Sequence, residues 1–232
     1  MTLALSRQEL DALLGDWATQ LPPPGPSSID TLRRFGQEAV RCLEDLLSIP
    51  NTFLAGIPSA TAWDKLQATL GIAPGTRLLL TEVRLADSEV VVLVATTTLT
   101  AYRLDEIALR AGGIGKATAP FAAWRRLVES VMTETWLTVA RPGEVAPLWQ
   151  SQSPRVWDVS VASDTGLRLS RDEPIAVVPL HTEDDERKSV FLIVPATTAS
   201  CLDASAAEAE AAAVDETGTP PDYSLVDEEP LS

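Results

Sequence analysis

The sequence is short of positive charge. Its 232 residues contain 18 lysines and arginines against 33 aspartates and glutamates, which gives a formal net charge of -15 at pH 7. A field of this sign repels a nucleic-acid backbone and an anionic membrane surface. The expected partners are therefore other proteins.

Long apolar runs are also missing. Purely apolar stretches such as residues 90–95 and 175–180 have the length of a β-strand, whereas a bilayer span needs about 20 such residues. The opening residues, MTLALSRQELDALL, place acids where a signal peptide needs an uninterrupted apolar run. No membrane span and no export signal are predicted, and the cytoplasm is the expected compartment.

Residues that carry chemistry are scarce. The single histidine, His181, ends an apolar run beside an acidic turn and is interpreted as a hairpin-tip residue. Cys42 and Cys201 lie far apart without a Cys-x-x-Cys spacing, which favours a reduced pair that packs as small apolar side chains. A Gly-x-Ser-x-Gly elbow is missing as well. We expect no metal site, no cofactor and no catalytic residue.

A glycine cluster, Gly-Gly-Ile-Gly-Lys at residues 112–116, invites comparison with phosphate-binding loops. Lys116 is followed by Ala117 where such a loop needs Ser or Thr, and Arg110 stands where it needs Gly. Nucleotide binding is excluded on these grounds. The acidic run at 183–186 is followed at once by Arg187 and is interpreted as a solvated hairpin tip.

Two shifts in composition divide the chain. Residues 21–28, LPPPGPSS, predict an extended linker, because consecutive prolines cannot donate backbone hydrogen bonds. Residues 203–232 contain nine acids and no Lys or Arg, which is typical of a disordered tail, with a transient helix near 204–214. A segment at 1–20 and a globular domain at 29–202 remain.

Within that domain the order of predicted elements repeats. Apolar side chains at helical spacing in 29–47 precede two strand-like runs at 77–85 and 89–97, and the same spacing in 121–137 precedes runs at 173–180 and 189–198. A further helix is predicted at 101–111, and further strands at 155–161 and 166–169. The predicted fold is α/β (α+β), a pseudo-twofold repeat whose mainly antiparallel sheet is covered by long amphipathic helices.

The first segment predicts a short amphipathic helix. Ser6 and Glu9 have the spacing of a capping box, and Leu10, Leu13 and Leu14 form a narrow apolar stripe. A helix of this length is marginal alone in water, so binding to a groove must supply the ordering free energy. The groove belongs either to a partner or to the chain's own domain.

The segment LSRQELDALLG at 5–15 resembles the N-terminal signature of the flagellar motor switch proteins FliM and FliY. In that family the signature binds the phosphorylated response regulator CheY. The resemblance therefore implies a CheY contact made by Leu10, Asp11, Leu13 and Leu14.

The glycine cluster also resembles a loop of this family, the Gly-Gly-x-Gly loop of the FliM middle domain, which contacts the rotor protein FliG. The resemblance implies that Gly112, Gly113, Ile114 and Gly115 bind FliG. The resemblance makes FliN a second candidate partner beside FliG. Full-length FliM, however, continues into a domain that pairs with FliN in the C-ring, and residues 203–232 occupy that place in this sequence, so assembly into the ring is left open.

The duplicated helix and hairpin resemble the pseudo-twofold fold of the FliM middle domain and of the CheC phosphatases. CheC-type enzymes carry Glu-x-x-Asn on their long helices, and the amide orients the attacking water. The corresponding positions here are Glu38-x-x-Arg41 and Glu129-x-x-Met132. We therefore expect a binding protein without catalysis.

The leading hypothesis is a motor switch component at the cytoplasmic side of the flagellar basal body, which couples chemotaxis signalling to motor rotation. A CheC-like phosphatase acting on phosphorylated CheY is the first alternative. The second is a soluble adaptor that sequesters rotor subunits.

Overall fold

The computed structural model describes residues 26–73, 75–111, 120–140, 148–158, 174–182 and 185–217. Its first half contains α1 (Pro26–Leu47), β1 (Phe53–Ala55), β2 (Ser59–Ala62), a 3-10 turn (Trp63–Lys65), α2 (Leu66–Thr69), β3 (Arg77–Leu85), β4 (Val91–Thr96) and α3 (Thr98–Ala111). Its second half contains α4 (Ala122–Val139), β5 (Trp149–Ser151), β6 (Arg155–Asp158), β7 (Pro174–Thr182), β8 (Asp185–Pro195) and α5 (Ala196–Thr217).

The two halves repeat one another. Each has a long helix, two short strands, two long strands and a second helix, and α4, β5 and β6 each begin 96 residues after α1, β1 and β2. The predicted pseudo-twofold α/β fold with its mainly antiparallel sheet is confirmed. Within the described residues, no helix is both long and apolar enough to cross a bilayer.

Each half lends its short strands to the other half. The sheet order is β1-β7-β8-β4-β3-β5, with β2 also on β7 and β6 also on β3, and all these pairs are antiparallel. The halves meet at the centre, where Leu93 lies opposite Ile193 in the β4–β8 ladder. Neither half can complete its part of the sheet alone.

The sheet is buried on both faces. Along β4, Val92 and Val94 face the cluster formed with the long helices, while Val91, Leu93 and Ala95 face a smaller cluster on the other side. All six residues of β4 are buried, which explains why this strand reads as a continuous apolar run. The smaller cluster includes Trp63 and Trp157, whose rings stack with centroids 5.5 Å apart.

Five of the six tryptophans are buried, and Trp17 lies outside the described residues. The apolar stripe predicted for α1 is buried from Leu32 to Leu47, but Ile29 is 40% exposed. Of the two cysteines only Cys42 packs in the interior; Cys201 is exposed and both are free thiols. The expectation that both pack as apolar residues is therefore wrong for Cys201.

Two helices extend across the predicted segment boundaries. The helix α1 begins at Pro26, inside the predicted linker 21–28, because proline suits the first position of a helix, where its missing N–H costs nothing. The helix α5 continues past the predicted boundary at 202 to Thr217, and Ser205 and Ala206 are buried. Its alanine-rich sequence has high helix propensity.

The second hairpin is longer than predicted. The ladder between β7 and β8 continues to Thr182 opposite Asp185, so Asp185 and Glu186 of the predicted tip belong to β8, and residues 183–184 lie outside the described residues. His181 lies in β7 opposite Leu54 of β1 and is half-buried. It is a strand residue and not a tip residue, because β1 from the other half extends the sheet there.

The close approach of α1 to the sheet depends on Gly36. A Cβ at this position would lie 2.5 Å from Cγ1 of Val178 in β7, and Val178 is fully buried. A valine side chain has one strongly preferred rotamer in most settings and cannot swing away in a packed core. Glycine therefore sets the distance between this helix and the strand below it.

We expect Gly36→Ala to lower the free energy of unfolding by about 1 to 3 kcal/mol, the usual cost of overpacking. Chemical denaturation measures it. The sign of the change in unfolding free energy tests the contact, because alanine at an open helical position would instead stabilise the helix by roughly 1 kcal/mol relative to glycine. The Val178→Ala background serves as the control: there the loss caused by Gly36→Ala should shrink, and an undiminished loss would contradict the proposed contact.

Candidate functional site

All the predicted contact residues lie outside the described residues. For CheY they are Leu10, Asp11, Leu13 and Leu14, and for FliG they are Gly112, Gly113, Ile114 and Gly115. The structure does describe the two helices that flank the glycine cluster. The helix α3 ends at Ala111, and the chain is described again from residue 120, just before α4.

A buried carboxylate joins these two helices. Oδ1 of Asp105 in α3 accepts a hydrogen bond of 2.7 Å from the backbone N–H of Trp124, in the first turn of α4. The first N–H groups of a helix have no partner within the helix, and a carboxylate there also complements the helix dipole. Nε1 of Trp124 in turn donates to Oγ1 of Thr81 in β3, at 3.0 Å.

The residue that precedes α4 has an unusual backbone. Phe121 has a φ of 56°, in the left-handed region, which a bulky non-glycine residue adopts only when its surroundings impose it. Its side chain packs against the core cluster of the long helices. Phe121, Trp124 and Asp105 together fix where the chain enters α4, and so they fix one end of the glycine-rich connection.

A groove opens where α1, α3 and α4 meet, which we call the corner groove. It has a volume of about 190 Å³ and is lined by Leu46, Ala108, Ala111, Ala123, Arg126, Leu127 and Ser130. The lining is mostly apolar, with Arg126 and Ser130 exposed to solvent. Another arginine, Arg110, stands near the end of α3 and pairs with Glu106. Arg126 is therefore the one charged side chain among the described residues that line the groove.

Glu129, one of the carboxylates considered for phosphatase chemistry, is used in a contact between α4 and β5. Its Oε1 accepts hydrogen bonds from the backbone N–H of Ser151 at 2.8 Å and from the Ser151 hydroxyl at 2.7 Å. Arg125 completes the contact by donating to the same hydroxyl at 3.0 Å and to the Ser151 carbonyl at 2.6 Å. Met132, three residues after Glu129, is 1% exposed and faces the core.

The second such carboxylate, Glu38, is held by arginine. It accepts from Nε of Arg41 at 2.8 Å and also pairs with the Nη2 group, while Nη1 of Arg41 bonds Asp45 at 2.8 Å. Chiefly because of the Arg41 hydrogen bond, the pKa of Glu38 is lowered from its ordinary value. Burial raises the pKa of the neighbouring Cys42 thiol, which makes it a poor nucleophile at neutral pH.

The contacts made by two carboxylates of this region were missed by sequence analysis. Asp105 lies 19 residues from Trp124, and Glu129 lies 22 residues from Ser151. Because these separations are long, no local sequence motif predicts either contact. Glu44 is a third case: its Oε1 accepts from the backbone N–H groups of Thr52 and Phe53, at 2.6 and 2.7 Å. All three carboxylates anchor one element on another.

The fold defines the class of protein to which this chain is similar. No protein-family model matches the sequence, and no curated protein matches it significantly. Solved structures match in fold. FliY of Thermotoga maritima is similar with a TM-score of 0.56 and 9% identity, over 79% of this chain and 98% of that chain.

Two structures from H. pylori agree. The FliM middle domain matches with a TM-score of 0.52 and 11% identity, over 78% of this chain and 99% of that chain. The chain from the FliM–SpeE complex matches with a TM-score of 0.52 and 8% identity, over 89% of this chain and 98% of that chain. The chain has the FliM/FliY middle-domain fold, and the resemblance drawn from its sequence is confirmed at the level of the fold.

We expect Asp105→Ala to cost about 1 to 2 kcal/mol of unfolding free energy, because it removes the hydrogen-bond acceptor at the start of α4. Asp105→Asn, which keeps an acceptor of similar size, should lose less. Denaturation measures both, and hydrogen exchange at the Trp124 amide reports the bond itself. Equal losses for the two variants, with unchanged exchange at Trp124, would contradict the role given to Asp105.

Because the pKa of Glu38 is lowered in the folded state, its ionised form adds stability at neutral pH, and this contribution disappears as the pH falls through that lowered pKa. We expect Glu38→Gln to be less stable than the parent at pH 7 and to approach it in acid. Denaturation midpoints between pH 7 and pH 3 measure this. In an Arg41→Gln background the same substitution should have a smaller effect; an equal effect would rule out Arg41 as the cause.

Proposed function

We propose that this chain is a flagellar motor switch component on the cytoplasmic side of the basal body. Its N-terminal segment binds a phosphorylated CheY-like response regulator, and the corner between α3 and α4 binds the rotor protein FliG. The observation that carries the proposal is the coincidence of a FliM/FliY middle-domain fold with two family-like motifs in the family's order along the chain.

The regulator contact involves Leu10, Asp11, Leu13 and Leu14. Three leucines on one helical stripe suit an apolar groove on the partner, and each buried leucine yields at most roughly 1.5 to 3 kcal/mol. The helix must be ordered at the moment of binding, which offsets part of that gain. The result is a weak and reversible contact, as a signalling switch requires.

The rotor contact involves Gly112, Gly113, Ile114 and Gly115. The support for this placement is the frame around them: Asp105 bonds α3 to α4, and Trp124 bonds α4 to the sheet. Loops that carry binding residues are positioned by such rigid supports. A partner bound at the loop would therefore act on both helices.

The residues of the two long helices favour a protein that binds its partners and does not catalyse a reaction. Both carboxylates at the phosphatase-like positions already accept hydrogen bonds from side chains of this protein. An exposed arginine and a buried methionine, Arg41 and Met132, stand where a CheC-type enzyme would need an amide. FliM from H. pylori has been solved in complex with another protein, SpeE, so a chain of this fold binds protein partners.

We expect Leu13→Ala/Leu14→Ala to weaken the binding of phosphorylated regulator by tenfold or more, since about 1.4 kcal/mol corresponds to one decade. Titration of labelled regulator measures the dissociation constant. Gln8→Ala, in the same segment but off the leucine stripe, is the control and should leave the affinity unchanged. An unchanged affinity of the double variant would remove the regulator contact from the proposal.

The two alternatives have their own readouts. A phosphatase would shorten the lifetime of the phosphorylated regulator, whereas a binding protein leaves it unchanged or longer, and timed phosphate release separates the two. An adaptor that uses its acidic end would lose FliG binding when residues 218–232 are deleted. We expect that deletion, which spares the whole of α5, to leave FliG binding intact.

A further inference from the structure

We propose that the corner groove is the docking site for the N-terminal segment of the same chain, residues 5–14. The segment then has two alternative grooves, one on its own domain and one on the regulator. The second half of this statement rests on the proposed function; the docking itself does not.

The shape of the corner groove suits a narrow apolar stripe. It is lined by the small side chains of Ala108, Ala111 and Ala123 together with the larger apolar side chains of Leu46 and Leu127. Leu46, a large apolar side chain near the end of α1, is 41% exposed. A stripe of leucines seated in the groove would cover it and exclude water from the neighbouring alanines.

The charge at the rim is complementary to that of the segment. Arg126 lines the groove and is exposed, and among the described residues its guanidinium pairs with no carboxylate, in contrast to Arg41 and Arg110. Asp11 lies beside the leucine stripe in the sequence. A helix that places its leucines in the groove has Asp11 available at the rim for Arg126.

The connecting chain is long enough. The groove lies near Leu46, and 20 residues of helix separate it from Pro26, a distance of about 30 Å at a rise of 1.5 Å per residue. Residues 15–25 span about 34 Å at the 3.1 Å per residue of a polyproline conformation. A connection whose reach matches the span gives a high effective concentration of the segment at the groove.

Docking on the domain would lower the apparent affinity for the regulator. A ligand that binds only the released segment has an apparent dissociation constant divided by the released fraction. The regulator and the corner groove would compete for the same leucines. Regulator binding would remove the segment from the corner groove. Because the groove lies next to the glycine cluster in the sequence, its vacancy would couple regulator binding to the proposed rotor contact.

Hydrogen exchange on the full chain, read by mass spectrometry, tests the docking without any partner. Amides of residues 10–14 should exchange about tenfold more slowly in the parent than in Arg126→Glu. The charge-exchanged pair Asp11→Arg/Arg126→Glu should restore the slow exchange. Arg103→Glu is the matched control: it makes the same charge change at an exposed position of α3 that does not line the groove, and it should leave the exchange unchanged.

A second variant tests the groove by shape. Ala108→Leu places a larger side chain in the groove and should speed exchange at residues 10–14 as Arg126→Glu does, while amides in β4 stay protected if the fold is intact. Exchange of residues 10–14 that is equally fast in the parent and in both variants would overturn the docking. Slow exchange that is lost on dilution would identify a second copy as the occupant and overturn docking within one chain.

The regulator provides the last readout. If the segment has two sites, Ala108→Leu should bind phosphorylated regulator about threefold to tenfold more tightly than the parent. Unchanged affinity would refute competition. If no variant binds the regulator while the exchange pattern is as expected, the proposed function fails and the docking stands, so the two outcomes can be told apart.

Discussion

The exchange of short strands between the halves is the constraint on which the rest of the structure depends. The strands β1 and β2 complete the sheet beside β7, and β5 and β6 complete it beside β3. Each long strand therefore needs a partner from a distant part of the chain, and the hydrophobic faces become buried only when both halves are present. The helices α1 and α4 then pack together over a single continuous face.

The corner between α3 and α4 is bonded to this sheet. Trp124 bonds to Thr81 of the sheet, and Asp105 bonds to the amide of Trp124, so one buried chain of hydrogen bonds connects strand, helix and helix. Such buried networks hold a single geometry because an unmade bond inside the protein is costly. The two helices that flank the glycine cluster in the sequence are thereby bonded to each other and to the sheet.

Local patterns predicted most of the elements. The apolar spacing in α1 and α4, and the runs in β3, β4, β7 and β8, result from burial on one face or on two, and this periodicity survives in the sequence. The wrong predictions concern residues whose burial or secondary structure depends on contacts with distant parts of the chain. Ile29 fits the helical stripe but lies beyond the covered part of α1, and His181 lies in a strand because β1 from the other half pairs there.

The candidate site shows the same division. The leucine stripe and the glycine cluster are visible in the sequence, since their chemistry depends on residues only a few positions apart. The corner groove, the Asp105–Trp124 bond and the use of Glu129 by Ser151 are not visible there, because each joins residues separated by many positions.

By itself the sequence determined the kinds of element, their duplicated order and the acidic character of the chain, because periodicity, composition and charge are local or additive quantities. Only the tertiary structure decided which strands exchange between halves, which carboxylates are engaged in internal bonds and where a groove remains open. Those outcomes depend on which distant surfaces meet when two similar halves close over one sheet.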